Sequence, residues 1–188
     1  HAGNAPFRLD KQNQHEGGIS SPLVVHWPAG LKTAPGSYTS QPGHLIDFMA
    51  TFLDVGNATY PKQVGTRAID PLQGLSLNPI FRGEQRKPHD TLYFHFGTDR
   101  ALRQGDWKLV SAKRGRWELY NMDSDRTELH DLSAEQPERV KAMSAEWFDM
   151  AKNIDRVKGK QLAPVKEELS DIGFRKDTSD QLAPEDSK

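Results

Sequence analysis

Apolar positions along the chain fall into two regimes that meet near residue 90. In the first, apolar runs are few and widely spaced. Leu23-Val24-Val25-His26-Trp27 is a short run closed by Pro28 and Gly30. Its length and its β-branched pair predict a strand buried on both faces. Leu45, Phe48, Met49, Phe52 and Leu53 recur at three and four, which predicts a helix over 43–55 with one apolar stripe, stopped at Gly56-Asn57. Ser76 to Phe81 predicts a short turn of helix, and the remainder of 57–90 reads as irregular. A strand buried on both faces needs neighbours, and few other segments before residue 90 qualify. The rest of its sheet is expected outside the chain.

The second regime is denser. Thr91 to Phe96, Arg100 to Arg103, Trp107 to Ser111 and Trp117 to Tyr120 read as four short strands. Gln104-Gly105-Asp106 turns the second into the third, with Gly105 supplying a positive φ, and Lys113-Arg114-Gly115 turns the third into the fourth. A small antiparallel meander follows, and one of its faces needs a cover. The cover is the next helix, over 138–156. Val140, Met143, Trp147, Met150, Ile154 and Val157 are spaced by three, four, three, four and three, so the helix should bury Trp147 on the sheet. Ser133 and Gln136 have the spacing of a capping box, and Pro137 falls in the first turn. From residue 159 the chain is mostly polar and reads as an extended or disordered tail.

Composition changes this picture in one respect. Apolar residues are 35% of the 188, and adding the 15 glycines still leaves the share low for a compact chain. Part of the chain is therefore expected to be loosely packed or to lean on other polypeptide. With 25 basic and 26 acidic side chains the net charge of -1 gives no basic surplus for nucleic acid. There is no cysteine, which excludes disulfides, thiolate nucleophiles and Cys-ligated zinc within the chain. No run of eighteen apolar residues spans a membrane.

The densest polar constellation is Arg8, Asp10, Lys11, His15 and Glu16, followed by Gly17-Gly18. Lys11 is a compact cation suited to a sulfate or phosphate oxygen. His15 suits proton donation or, when neutral, a metal. The plainer reading is a solvated loop turned by its glycines. The seven histidines show no HExxH and no pair at helical ligand spacing. No GxSxG elbow, GxGxxG or GxxxxGK motif occurs. Trp107, Trp117, Tyr120 and Trp147 suit stacking on a ligand, but their spacings fit the core of a sheet-and-helix unit better.

The order of these motifs resembles the sulfatase family, and within it the bacterial arylsulfatases. Asn4-Ala5-Pro6-Phe7-Arg8 is followed by Lys11, then His15-Glu16-Gly17-Gly18, then Pro22 to Pro28. His44-Leu45-Ile46-Asp47 with Thr51, Leu72 to Leu77, Arg100 to Leu109, Trp117 to Asn121 and Glu128 to Leu132 continue in family order. The resemblance covers about residues 4–155. It implies an α/β class, α+β within this chain: a partial alkaline phosphatase-like sulfatase fold, with a C-terminal four-stranded antiparallel sheet packed by one helix. Residues 1–90 would be the end of the large α/β domain, 91–158 the small subdomain and 159–188 the tail.

The resemblance also implies sulfate-ester hydrolysis by a formylglycine nucleophile with calcium in the full-length enzyme. Lys11, five residues before Glu16, stands where the family places a lysine on the sulfate, and it is the catalytic and substrate-binding candidate. His15 would line the substrate entrance, and Glu16 would fix the loop. Attack on sulfur adds negative charge beside an anion, and a fixed ammonium lowers that cost. No Cys or Ser-x-Pro-x-Arg is present, and the family's metal-binding Asp and Asn side chains have no counterpart here. The chain is therefore expected to bind no calcium, to be inactive alone and to need an N-terminal sulfatase portion as partner. The substrate would be a small-molecule or carbohydrate sulfate ester, and the compartment periplasmic or secreted, with neither nucleic acid nor membrane involved. Two alternatives stand beside this: a non-catalytic binding module with its aromatic residues exposed, and a related phosphoester or phosphonate hydrolase.

Overall fold

A computed structural model describes residues 2–155. In chain order its elements are a 3-10 turn at Ala2–Asn4, α1 at Glu16–Ile19, α2 at Asp47–Val55, β1 at Gln63–Val64 and β2 at Arg67–Ala68. They continue with α3 at Asn78–Phe81, β3 at Leu92–Phe96, β4 at Asp99–Gln104, β5 at Trp107–Ser111, β6 at Glu118–Asn121 and α4 at Pro137–Ile154. The described residues divide into two compact units, 2–21 with 91–155, and Pro22–Asp90.

In the first unit the four expected strands form an antiparallel meander, β3-β4-β5-β6. The φ of Gly105 is +55°, as the turn from β4 to β5 requires. Period-two alternation gives the sheet two inner faces. Leu102, Leu109 and Leu119 are cross-strand partners on one of them. Val140, Met143, Trp147 and Ala151 of α4 close over these leucines and Trp117. Trp147 is fully buried and its indole N–H donates to the Phe94 carbonyl at 3.1 Å. The other face carries Ala101, Val110, Tyr120 and Met122 with Phe94.

One expectation for this unit is corrected. The capping box of Ser133 and Gln136 does not form: α4 starts at Pro137, with Gln136 as its N-cap and no side-chain cap bond. Asp131 instead accepts the N–H of Ser133 at 2.9 Å and that of Leu119 at 3.1 Å, which holds the approach to the helix against β6. Residues 1–21, assigned from sequence to the same portion as 22–90, group with the small sheet. Arg8 and His15 reach Glu118 of that sheet, and Glu16 reaches Lys108. The expected tail, 159–188, lies outside the described residues.

The second unit is organised by a buried carboxylate rather than by an apolar core. Its buried apolar residues are Ala50 and Leu77. Asp47 accepts the backbone N–H groups of His44 and Leu75, both at 2.9 Å. Arg86 donates to it at 3.0 Å and His89 pairs with it at 2.7 Å. Burial alone would raise the Asp47 carboxyl, but these donors together hold it below the ordinary aspartate value. One turn along, Thr51 donates to the Asp47 carbonyl at 2.7 Å and accepts the Leu77 N–H at 2.9 Å. The His44 bond keeps residues 44–46 in a turn, so α2 begins at 47 and not at 43. Its expected apolar stripe is exposed at Leu45, Met49 and Phe52.

The strand expected at Leu23–Trp27 is absent from the described residues. These residues join no ladder, and Val24 is 88% exposed. Within this unit β1 and β2 pair only with each other, so nothing offers the segment a partner. No described helix is long and apolar enough to cross a membrane.

Replacing Trp147 removes the largest side chain buried between α4 and the sheet. Trp147→Ala should cost about 3–5 kcal/mol of unfolding free energy. Urea denaturation followed by far-UV circular dichroism checks it, and a loss under 1 kcal/mol would contradict the packing described.

Candidate functional site

Alternation sends Lys108 and Val110 of β5, and Glu118 and Tyr120 of β6, to the sheet face opposite α4. A lysine at such a position is tolerable only when paired, because an isolated buried ammonium loses several kcal/mol of hydration. Lys108 is fully buried, and its ammonium lies 2.8 Å from Glu16 Oε1 and 2.8 Å from Glu128 Oε1. Glu128 Oε2 accepts the Glu16 backbone N–H at 2.9 Å. Arg126 donates to Glu16 Oε2 and to Ser20 Oγ, each at 3.1 Å. The two carboxylates around one ammonium are thus balanced by a second cation.

A second cluster adjoins the first on the same strands. Arg8 donates to Tyr120 Oη at 2.6 Å, to the Glu128 carbonyl at 2.8 Å and to Glu118 Oε2 at 3.2 Å. Tyr120 in turn donates to Glu118 Oε2 at 2.6 Å. His15 is 1% exposed, with Nε2 at 3.2 Å from the same oxygen. Burial alone would raise Glu118, but His15, Tyr120 and the Arg8 guanidinium overcome it and hold its pKa down at about 2. Burial likewise opposes ionisation of Glu16, and Lys108 and Arg126 hold it below the ordinary value. Burial beside Glu118 pushes the Tyr120 hydroxyl up, so it remains a donor.

These contacts fix a short segment with unusual backbone. Asp10–Asn13 is a turn closed by the Asn13 N–H on the Asp10 carbonyl at 3.1 Å, and the Asn13 side chain bonds Asp10 as well. Leu9 and Gln12 adopt φ of 59° and 84°, left-handed conformations that side-chain-bearing residues rarely take. The turn lies directly on the glycine pair. A Cβ on Gly17 would meet the Leu9 carbonyl at 2.2 Å, and one on Gly18 the Asn13 carbonyl at 2.1 Å. Only glycine permits that approach.

The sequence constellation therefore splits. Arg8, His15 and Glu16 turn towards the sheet, while Lys11 is exposed at the tip of the turn and has no ion-pair partner among the described residues. Glu16 fixes the loop as expected, by three separate hydrogen-bonding contacts. His15 lies buried beneath the segment, against Glu118. Of the residues that a free-standing binding module would expose, Trp117 and Tyr120 are buried and Trp107 is partly buried against the core under α4, so that aromatic face is not presented. Sequence reasoning missed Lys108, Glu118 and Glu128. A charged residue between Trp107 and Leu109, on the same strand face as Val110, was the available signal. No group of three or more His, Cys, Asp or Glu among the described residues stands where it could hold a metal ion.

Residues 7–160 match the family described as N-sulphoglucosamine sulphohydrolase, C-terminal. The chain belongs to that family. This sulfatase C-terminal segment is 34% identical over 93 residues to the steryl-sulfatase of Mus musculus, covering 50% of this chain and 14% of that protein. It is 33% identical over 105 residues to the N-acetylgalactosamine-6-sulfatase of Homo sapiens, covering 56% and 19%. The matched stretch thus spans less than a fifth of either relative. The solved structure of Ps i-CgsB superimposes with a TM-score of 0.63 at 26% identity, over 79% of this chain and 32% of that one. A second Ps i-CgsB structure, in complex with k-i-k-neocarrahexaose, has a TM-score of 0.64 over 89% and 36%. At 23% identity it shows the fold alone.

The segment's attachment to the sheet should weaken in acid. Glu118 falls from an ordinary 4.5 to about 2 on folding, so its contribution is complete above about pH 4.5 and is lost as the pH falls towards 2. Glu118→Gln should lower stability at pH 7 by on the order of 2 kcal/mol and flatten the slope between pH 5 and 2. Thermal unfolding across that range measures both, and an unchanged slope would refute the assignment.

Proposed function

We propose that the chain supplies the C-terminal part of a sulfate-ester hydrolase and contributes Lys11 to its sulfate site. The observation that carries this reading is the contrast between Lys11 and its neighbours. Arg8, His15 and Glu16 bind inward to a buried ionic scaffold, while Lys11 is exposed on a turn flanked by the left-handed Leu9 and Gln12. A cation presented in this way suits an anionic ester. As the S–O bond to the leaving group breaks, charge grows on the bridging oxygen, and an ammonium already in place stabilises it without reorganisation. A sulfate ester is the favoured anion because of the family to which the chain belongs, with both small-molecule and carbohydrate sulfates as substrate classes. The names of the mouse and human relatives, a steryl-sulfatase and an N-acetylgalactosamine-6-sulfatase, support that breadth.

The nucleophile and the metal lie elsewhere in this reading. The described residues do not fit a calcium site, and the sequence has no Cys or Ser-x-Pro-x-Arg from which a formylglycine could arise. We assign both to an N-terminal sulfatase portion, and a periplasmic or secreted setting to the whole. The short share of each relative's length that the chain matches supports such a portion. The exposed Leu23, Val24, Leu45, Met49 and Phe52 of the Pro22–Asp90 unit support it too, since an apolar set of this extent suits a partner surface.

In the complete enzyme, Lys11→Ala should lower kcat on an aryl sulfate by about 100-fold or more with little change in KM. The chain on its own should turn over none. Steady-state kinetics on aryl sulfate, N-acetylgalactosamine-6-sulfate and aryl phosphate make the test. An unchanged kcat for Lys11→Ala would remove the lysine from the site, and preferential hydrolysis of the phosphate would favour the phosphoester alternative.

A further inference from the structure

We propose that Lys108 is a positioning residue for Lys11, acting through Glu16 and the glycine pair. The inference rests on the proposed role of Lys11. It follows a continuous path of contacts. The Lys108 ammonium holds Glu16 Oε1 at 2.8 Å, and Glu128, bound to the same ammonium, holds the Glu16 N–H at 2.9 Å. Glu16 is thereby fixed at both its side chain and its backbone. The next two residues, Gly17 and Gly18, carry the backbone of residues 8–13 on their Cα atoms, with no room for a methyl group. The Gly17 N–H also donates to the Arg8 carbonyl at 2.9 Å. The turn resting on this platform is Asp10–Asn13, and Lys11 is its exposed corner.

Backbone strain supports a positioning role over a merely adhesive one. Leu9 and Gln12 hold left-handed φ on either side of Asp10 and Lys11. Such conformations are disfavoured for residues that carry a side chain and persist only where the surroundings over-determine them. The ionic scaffold provides that over-determination from below. A buried triad is also an expensive way to hold two segments together, because apolar residues of similar volume serve stability as well or better. What the triad adds is direction. Two carboxylates from different segments can meet one ammonium in only a narrow range of poses.

The test is a double-mutant cycle in the complete sulfatase, with an aryl sulfate as substrate. Lys108→Met and, separately, Glu16→Gln are combined with Lys11→Ala, and melting temperature is recorded for each. Glu16→Gln keeps the shape of the side chain and leaves Lys108 on Glu128, so it provides a folded variant if Lys108→Met does not fold. We expect Lys108→Met or Glu16→Gln to lower kcat about tenfold or more in the wild-type background, as small misplacements of a reacting group do. Neither should lower it further once Lys11 is alanine. Equal fold-losses in both backgrounds would overturn the inference, as would a folded single variant with unchanged kcat while Lys11→Ala is impaired. If Lys11→Ala itself leaves kcat unchanged, the reading of Lys11 fails first.

Discussion

A single ammonium, that of Lys108, decides how the first unit is put together. It is withdrawn from water, and two carboxylates from distant parts of the chain meet it at 2.8 Å. Remove the ammonium and two buried carboxylates lose their shared counter-charge, at a cost of several kcal/mol. The N-terminal segment is thus bound to the sheet by a condition on charge rather than by an extensive apolar contact. The neighbouring cluster of Arg8, His15, Glu118 and Tyr120 follows the same rule, with one oxygen of Glu118 accepting from three side chains. The sheet consequently has one apolar face under α4 and one face divided between a small apolar cluster and ions.

The second unit repeats the strategy on a different residue. Asp47, fully buried, draws together the backbone at 44 and 75 and the side chains of Arg86 and His89. Around it almost no apolar side chain is buried, while several large ones face outward. A unit built this way has defined local geometry but little hydrophobic driving force of its own. That combination suits a region that completes its burial against other polypeptide.

What was legible in the sequence is what depends on near neighbours. The meander could be read because each hairpin is written in consecutive residues, with Gly105 supplying the required φ. The α4 stripe could be read because Val140, Met143 and Trp147 recur at helical spacing. The failures share one cause. Leu23 to Trp27 has strand composition, but a strand exists only in a ladder, and composition does not say whether a partner is present. Ser133 and Gln136 have capping-box spacing, but Asp131 competes for the backbone and Pro137 begins the helix. In the candidate site, Lys11 stood out within the polar constellation of residues 8–18, and only the resemblance tied it to sulfate. Glu16 was expected to fix the loop, but its partner was not legible, because the Glu16–Lys108 pair spans 92 positions.

That separation has a consequence during synthesis. At roughly 5–20 residues per second, Glu16 leaves the ribosome about 5–20 seconds before Lys108 follows it. The hairpins and α4 close from local contacts, but the segment bearing Lys11 has nothing to dock on until β5 and Glu128 have emerged. Its carboxylate waits in water, fully hydrated, which costs nothing. A segment whose anchoring residues are charged can wait for its partner without the aggregation hazard that an apolar one would carry.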